Sequence, residues 1–190
     1  MKQPLLLFSE WYKEELTISR VEIPSAVCLS TMGVDQFPNA RFVSFKEIKD
    51  SSFVITGPLQ SRKGLEIEYH NKVALTFWWT ETARQVRIQG VATKLSDEFA
   101  EEYFKQRSLM SQAVSSLSKQ GKEADSLEEL EKKIQKKISE NTKIKRPEDW
   151  SGFSIKPTRM EFMEFKKSRF HNRKLYELDN NKWHLKQLQP

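Results

Sequence analysis

Apolar and polar positions alternate in two distinct periods along this chain, and the changes of period mark its elements. Leu5, Phe8, Trp11 and Tyr12 recur at helical spacing with Glu10, Lys13 and Glu14 between them, which predicts an amphipathic N-terminal helix. Pro24 ends the segment that follows. Residues 26–31 read as a strand closed by the turn-like Gly33-Val34-Asp35. Residues 41–46, Arg-Phe-Val-Ser-Phe-Lys, alternate strictly and lie between Pro38-Asn39 and Lys49-Asp50-Ser51-Ser52. After that short polar gap, 53–56 form a second apolar run, so the two strands pair as a hairpin that Gly57-Pro58 ends. Leu65-Glu66-Ile67-Glu68 can be helical. Residues 73–79 are almost continuously apolar and β-favouring, which predicts a strand buried on both faces. Residues 85–92 alternate, burying one face only.

From Ser96 the period becomes helical. Asp97 and Glu98 sit at a capped start, and Phe99, Tyr103 and Phe104 make an apolar face. A polar stretch, 108–121, carries no predicted element. Ser126-Leu127-Glu128-Glu129 has the capping-box pattern and opens a charged helix through Ile134 and Ile138. Pro147 marks a return to strands at 152–156, 160–165, 174–178 and 183–188, with Asp179-Asn180-Asn181 as the last turn. Successive strands without intervening helices argue against a parallel α/β sheet. The expectation is a mainly β, α+β fold: a small antiparallel barrel with peripheral helices, one domain over 1–190 with a helical insert at about 96–140.

Composition narrows the chemistry. With 37% hydrophobic residues among 190, a real core is available. The net charge of +6 points to an anionic partner, and nucleic acid, a phosphorylated metabolite or a flavin phosphate would each satisfy it. The single Cys28 cannot form an internal disulfide and is read as a buried, inert thiol. The apolar Leu5-Leu6-Leu7-Phe8 is too short for a secretory signal and nothing reaches membrane-spanning length, so a cytoplasmic location is expected.

No Walker loop, GxGxxG or HExxH occurs, and three histidines (His70, His171, His184) argue against a histidine-rich metal site. His70 reads as a helix-end residue. The cationic run 132–137 is interleaved with Glu128, Glu129, Glu131 and Glu140 and reads as a solvated helix face. Two places are more informative. Ser61-Arg62-Lys63-Gly64 puts a hydroxyl and two cations at a predicted helix start, where backbone N–H groups and the helix dipole favour a phosphate. Arg169-x-His171-x-Arg173, if extended, points two guanidiniums and an imidazole to one side, an arrangement that calls for an anion among them.

Taken in order, several pieces resemble the pyridoxine/pyridoxamine 5′-phosphate oxidase family: 41–46, Ser61-Arg62-Lys63, Arg84-Gln85-Val86, Tyr103-Phe104 with Arg107, Ser111-Gln112, Trp150-x-Gly152 and Arg169-x-His171-x-Arg173. The resemblance runs from Pro4-Leu5 to Leu188-x-Pro190. It implies an FMN-binding split β-barrel, a homodimer with FMN at the subunit interface, and oxidation of a phosphorylated B6 vitamer by molecular oxygen with release of hydrogen peroxide. By matching positions it implies that Arg41, Phe42, Val43, Lys46, Ile55, Thr56, Ser61, Arg62, Lys63, Gln85, Gln120, Trp150 and Arg173 hold FMN, with Arg62 and Lys63 on its phosphate. Lys46, Tyr103, Arg107 and Ser111 would hold the substrate phosphate, and Arg169 and His171 would act over the pyridine ring. Neither a metal, a membrane nor a nucleic acid is then expected. The chain departs from the pattern at Met163-Glu164-Phe165 (commonly Trp-Gln-Gly), Asn172 (Asp), Gly121 (Ser) and Gln187 (Arg). Two other functions stay open: an FMN oxidase or reductase of the same fold acting on another, for instance polycyclic, substrate, and a non-enzymatic FMN- or nucleic-acid-binding protein.

Overall fold

Strand β1 (Ala26–Met32) buries Val27, Leu29 and Thr31 and turns Cys28 and Ser30 outward, and its neighbours repeat that alternation. A computed structural model describes residues 3–140 and 142–190. Around β1, strands β2 (Pro38–Lys49), β3 (Ser52–Pro58), β4 (Lys72–Trp79), β5 (Arg84–Lys94) and β6 (Trp150–Glu164) are ordered β3-β2-β1-β4-β5-β6. Every pairing is antiparallel, and β3 pairs back onto β6, closing a six-stranded barrel. Strands β7 (Asn172–Asp179) and β8 (Lys182–Leu188) extend the sheet beyond β6 as a hairpin. Its two-residue turn holds Asn180 and Asn181 at φ +47° and +61°, as the predicted turn requires. The expected antiparallel barrel with peripheral helices is what forms.

The barrel interior is aromatic. Helix α1 (Gln3–Ile18) lowers Phe8 onto Phe45, Phe53, Phe77 and Trp79, with ring centroids 4.8–5.7 Å apart. Its Glu15 carboxylate is buried and accepts hydrogen bonds from the Thr82 backbone N–H at 3.1 Å and the Thr82 hydroxyl at 2.9 Å, which ties the helix to the β4–β5 turn. Helices α3 (Asp97–Lys105), α4 (Leu109–Leu117) and α5 (Leu127–Ser139) lie between β5 and β6 in sequence. They enclose a second core outside the barrel wall, where Phe104 meets Trp150 at 5.1 Å beside Val54, Ala113 and Ile134. Among the described residues no helix is long and apolar enough to cross a membrane.

Four expectations change. The run 73–79 is not buried on both faces: Val73, Leu75, Phe77 and Trp79 point inward, but Trp78 is 52% exposed. Cys28 is half-buried on the outer face, not a core thiol. The two strands read at 152–156 and 160–165 are one strand, β6. Pro157 sits at a bulge, since Gln89 faces Arg159 while Gly90 faces Pro157, so Thr158 is skipped and the strand continues through the proline. Gly90 permits this, because a Cβ there would lie 2.6 Å from the Lys156 carbonyl oxygen. Finally, 108–121 contains helix α4, capped by Ser108, whose hydroxyl accepts from the Ser111 N–H at 3.2 Å.

Candidate active site

Strands β2 and β3, helix α4 and the segment after it frame a cleft of about 510 Å³. Four cations line it: Arg41, Lys46, Lys63 and Arg107. The buried carboxylate of Glu66, on helix α2 (Arg62–Tyr69), engages one of them. It accepts from Arg41 Nη2 at 2.7 Å, Asn39 Nδ2 at 2.8 Å, Arg62 Nε at 2.8 Å and the Thr31 hydroxyl. Burial alone would push the Glu66 carboxyl up; the hydrogen bonds from Thr31, Arg62 and Arg41 outweigh it and hold the group below the usual carboxylate range. Arg41 is therefore neutralised within the protein.

The other three cations differ. Among the described residues none of Lys46, Lys63 and Arg107 has a carboxylate partner. Lys63 Nζ donates to Ser61 Oγ at 3.0 Å and to Gln120 Oε1, and burial, helped by nearby Arg41, lowers its pKa to about 8. Burial and Arg107 lower Lys46, and burial lowers Arg107. Three desolvated, unpaired cations in one cleft are costly, and an anion is what removes the cost. Arg107 lies over the Trp150 ring at 4.8 Å and donates to Ser115 Oγ at 2.8 Å.

A second group of expected residues gathers on the outer face of β5, β6 and β7. Gln85 faces Met163 and Met163 faces Arg173, so the three form one row, continued on the other side by Trp78. Arg173 donates to Glu161 Oε1 through Nε at 3.1 Å and Nη2 at 2.6 Å; Arg87 and Arg159 approach Oε2 of the same 2%-exposed carboxylate at 3.7 Å each. His171 Nδ1 accepts the Lys166 backbone N–H at 3.0 Å, so the neutral ring carries its proton on Nε2. None of Gln85, Arg169, His171 or Arg173 lines the first cleft.

Residues 18–140 match the family profile described as pyridoxamine 5′-phosphate oxidase, and 150–190 match the pyridoxine 5′-phosphate oxidase C-terminal dimerisation region. The chain belongs to the pyridoxamine 5′-phosphate oxidase family. A pyridoxine/pyridoxamine 5′-phosphate oxidase of Leptospira biflexa is 39% identical over 189 residues, covering 98% of this chain and 89% of that one. The enzyme so named from Wolbachia pipientis wMel is 40% identical, covering 100% and 88%. Among solved structures, PhzG from Burkholderia lata 383 in complex with tetrahydrophenazine-1-carboxylic acid superposes with a TM-score of 0.94 at 29% identity, covering 100% of this chain and 94% of that one.

Against the residues that the family resemblance implies, the cleft collects Arg41, Phe42, Val43, Lys46, Thr56, Lys63, Arg107, Gln120 and Trp150. It leaves others aside. Arg62, 63% exposed on its side chain, turns to Glu66 and to Asp35 at 3.1 Å rather than to the cleft. Ser61 is buried, donates to the Pro58 carbonyl at 2.6 Å and accepts from Lys63, so it orients that lysine. Ile55 is a barrel-core residue. The Tyr103 hydroxyl donates to Glu47, and burial with that carboxylate pushes its pKa up. Ser111 accepts from the Ser108 hydroxyl at 2.9 Å. In its stead Ser115 and Ser118, four and seven residues on, line the cleft. Helical spacing within the polar stretch was the signal that could have found them.

Arg169, His171 and Arg173 do not share a strand face. β7 begins only at Asn172, and Arg169 sits in a turn at φ +66° with its N–H donating to the Lys166 carbonyl. Two family departures meet each other: Gln187 Nε2 donates to Asn172 Oδ1 at 3.2 Å, a neutral pair where the family commonly has Asp and Arg. Gly121 has φ +81° and open space around it, so glycine there relieves a left-handed backbone. Phe165 packs its ring 4.8 Å from Trp78 and 5.0 Å from His171.

Proposed function

We propose that this chain is an FMN-dependent pyridoxine/pyridoxamine 5′-phosphate oxidase acting as a homodimer. The cleft of one subunit faces Gln85, Arg169, His171 and Arg173 of the other. The observation that carries the reading is the trio Lys46, Lys63 and Arg107, charged, partly desolvated and without a carboxylate partner. The donor set fits two phosphates: Lys63 with Gln120 and Thr56 for that of FMN, Lys46 with Arg107 for that of the substrate. Gly57 supports the first of these, since a Cβ there would come within 3.1 Å of Lys63 Cε and crowd the lysine where it crosses the strand.

FMN, when bound, supplies the two-electron oxidation, with molecular oxygen as final acceptor and hydrogen peroxide as product. The protein's part is orientation and proton handling. Lys46 and Arg107 fix the substrate through its phosphate, so the reacting carbon is presented in one pose. His171, its Nδ1 held by the Lys166 N–H, offers Nε2–H as a donor to the substrate ring or its oxygen substituent. Arg169 adds a fixed positive charge beside it.

A visible spectrum of the purified protein, before and after anaerobic addition of pyridoxamine 5′-phosphate, tests the reading. Flavin absorbance that bleaches, followed in air by pyridoxal 5′-phosphate, is the expected result. A colourless protein that FMN cannot reconstitute would sink it. The aromatic contacts of Phe165 favour one competing substrate class, the tricyclic acids suggested by the ligand named for the Burkholderia protein. Bleaching by tetrahydrophenazine-1-carboxylic acid, and not by the B6 vitamer, would move the assignment there.

A pH dependence follows from Lys63. Its pKa in the free protein is about 8, below its ordinary value, and a bound phosphate dianion raises it. Above pH 8 the anion must therefore bind with uptake of a proton, and affinity falls by up to about tenfold per pH unit. FMN fluorescence titrations should give a flat dissociation constant from pH 6.5 to 7.5 and a rising one above 8, with the rise absent in Lys63→Met. A constant value through pH 9.5 would show that Lys63 does not hold the phosphate.

A further inference from the structure

Helix α4 carries four serines at 111, 115, 116 and, at its C-cap, 118, and they are not equivalent. Ser116 and Ser118 donate their hydroxyl protons to the carbonyls of Ala113 at 2.8 Å and Val114 at 2.7 Å. Ser111 is tied to the N-cap Ser108. Ser115 alone of these accepts a hydrogen bond from a guanidinium, that of Arg107; it lines the cleft together with Ser118. Among the described residues its own proton has no protein acceptor.

Arg107 lies outside α3 and α4, in the short link between them, where a long side chain has no helix to fix its direction. Two contacts fix it. The guanidinium carbon lies 4.8 Å from the centre of the Trp150 ring, and Ser115 accepts from Nη1 at 2.8 Å, which limits the rotation of the guanidinium. The backbone beneath is clamped as well, since Gln112 Nε2 donates to the Arg107 carbonyl at 2.9 Å. The remaining guanidinium donors have no protein acceptor among the described residues and line the same cleft as Lys46.

We infer that Ser115 is a positioning residue for substrate phosphate recognition: it holds the Arg107 fork toward the anion and turns its own hydroxyl proton to the same phosphate. The inference rests on reading the cleft as a phosphate site. A hydroxyl that accepts from a guanidinium keeps its own rotatable proton for a second partner, so one group both orients the arginine and adds a hydrogen bond to the anion. Alanine at 115 removes both and leaves the apolar packing of α4 unchanged, because the residue buried on that helix is Ala113.

The test uses the FMN-loaded protein and compares wild type, Ser115→Ala, Ser115→Thr, Arg107→Ala and the double variant, with pyridoxamine 5′-phosphate and unphosphorylated pyridoxamine as substrates. Ser115→Ala should raise KM for the phosphorylated substrate about tenfold, the loss of a charge-assisted hydrogen bond. It should leave kcat within about twofold and affect pyridoxamine much less than the phosphorylated substrate. Threonine, which keeps the hydroxyl, should restore KM. In the Arg107→Ala background the same substitution should add much less, since the two residues act as a unit. An unchanged KM in Ser115→Ala, an equal rise for both substrates, or full additivity with Arg107→Ala would overturn the inference. If the protein oxidises neither compound, the functional reading fails separately. Calorimetric binding of inorganic phosphate then decides: about tenfold weaker binding in Ser115→Ala supports the positioning role, and equal binding in the two proteins overturns it.

Discussion

Glu161→Ala should destabilise the protein by about 2–4 kcal/mol and weaken FMN binding at the same time. The carboxylate is buried on the outer face of β6 and answers three guanidiniums, with Arg173 held through two of its nitrogens. Removing it leaves three positive charges facing one another. Arg87, Arg159 and Arg173 are a quarter to a half exposed, so water screens part of that repulsion, which keeps the expected loss below the upper range for a fully buried pair. Arg173 would also lose the partner that fixes its direction. Glu161→Gln keeps the shape and one acceptor and should lose less. Urea denaturation followed by tryptophan fluorescence, repeated at several protein concentrations because a dimer is expected, measures the first effect; FMN titration measures the second. A loss under about 1 kcal/mol would mean that solvent or a neighbouring subunit already neutralises the arginines.

Gly152→Ala should be comparably damaging for a purely steric reason. Gly152 faces Thr56 across the β3–β6 seam that closes the barrel. A Cβ at 152 would lie 2.3 Å from the Ile55 carbonyl oxygen and 3.0 Å from Thr56 Cα, and backbone cannot swing aside as a side-chain end can. The strands must separate locally, at about 2–4 kcal/mol, and Thr56 moves with them, so the cleft is disturbed too. Gly121→Ala is the control. That position has open space but φ +81°, so it should cost only about 1 kcal/mol, from backbone conformation alone. Equal midpoints for the two variants at unchanged denaturant slope would refute the seam argument.

The barrel was readable because its strands bury alternate residues, and β1, β2 and β5 keep that pattern in plain view. What escaped had local causes of misreading. Pro157 punctuates the sequence like a strand end, yet the bulge opposite Gly90 absorbs it. Helix α4 buries only Ala113, so a periodicity count across its serines finds no apolar face. At the site, the cations were legible as cations but their allegiance was not. Arg62 and Lys63 are neighbours in sequence, and Glu66, one turn along the same helix, draws Arg62 away while Lys63 stays in the cleft. The one-sided array of Arg169, His171 and Arg173 required an extended backbone, and the positive φ of Arg169 takes it out of that alternation.

Strand β6 is shared three ways: its first residues pair with β3, its middle and end with β5, and its end also with β7. For a chain emerging from the ribosome this fixes a delay. Strands β1 to β5 are all synthesised before residue 95, yet both open edges of their sheet, β3 and β5, wait for a strand that starts at Trp150. At about 5–20 residues per second the intervening segment takes roughly 3–11 s to make. During that interval the nascent sheet exposes two unpaired edges and an aromatic interior to other chains. Shielding of that interval, by holdase chaperones or by early packing of α3 to α5 against the wall, therefore bears on the yield of this fold independently of the stability of the finished barrel.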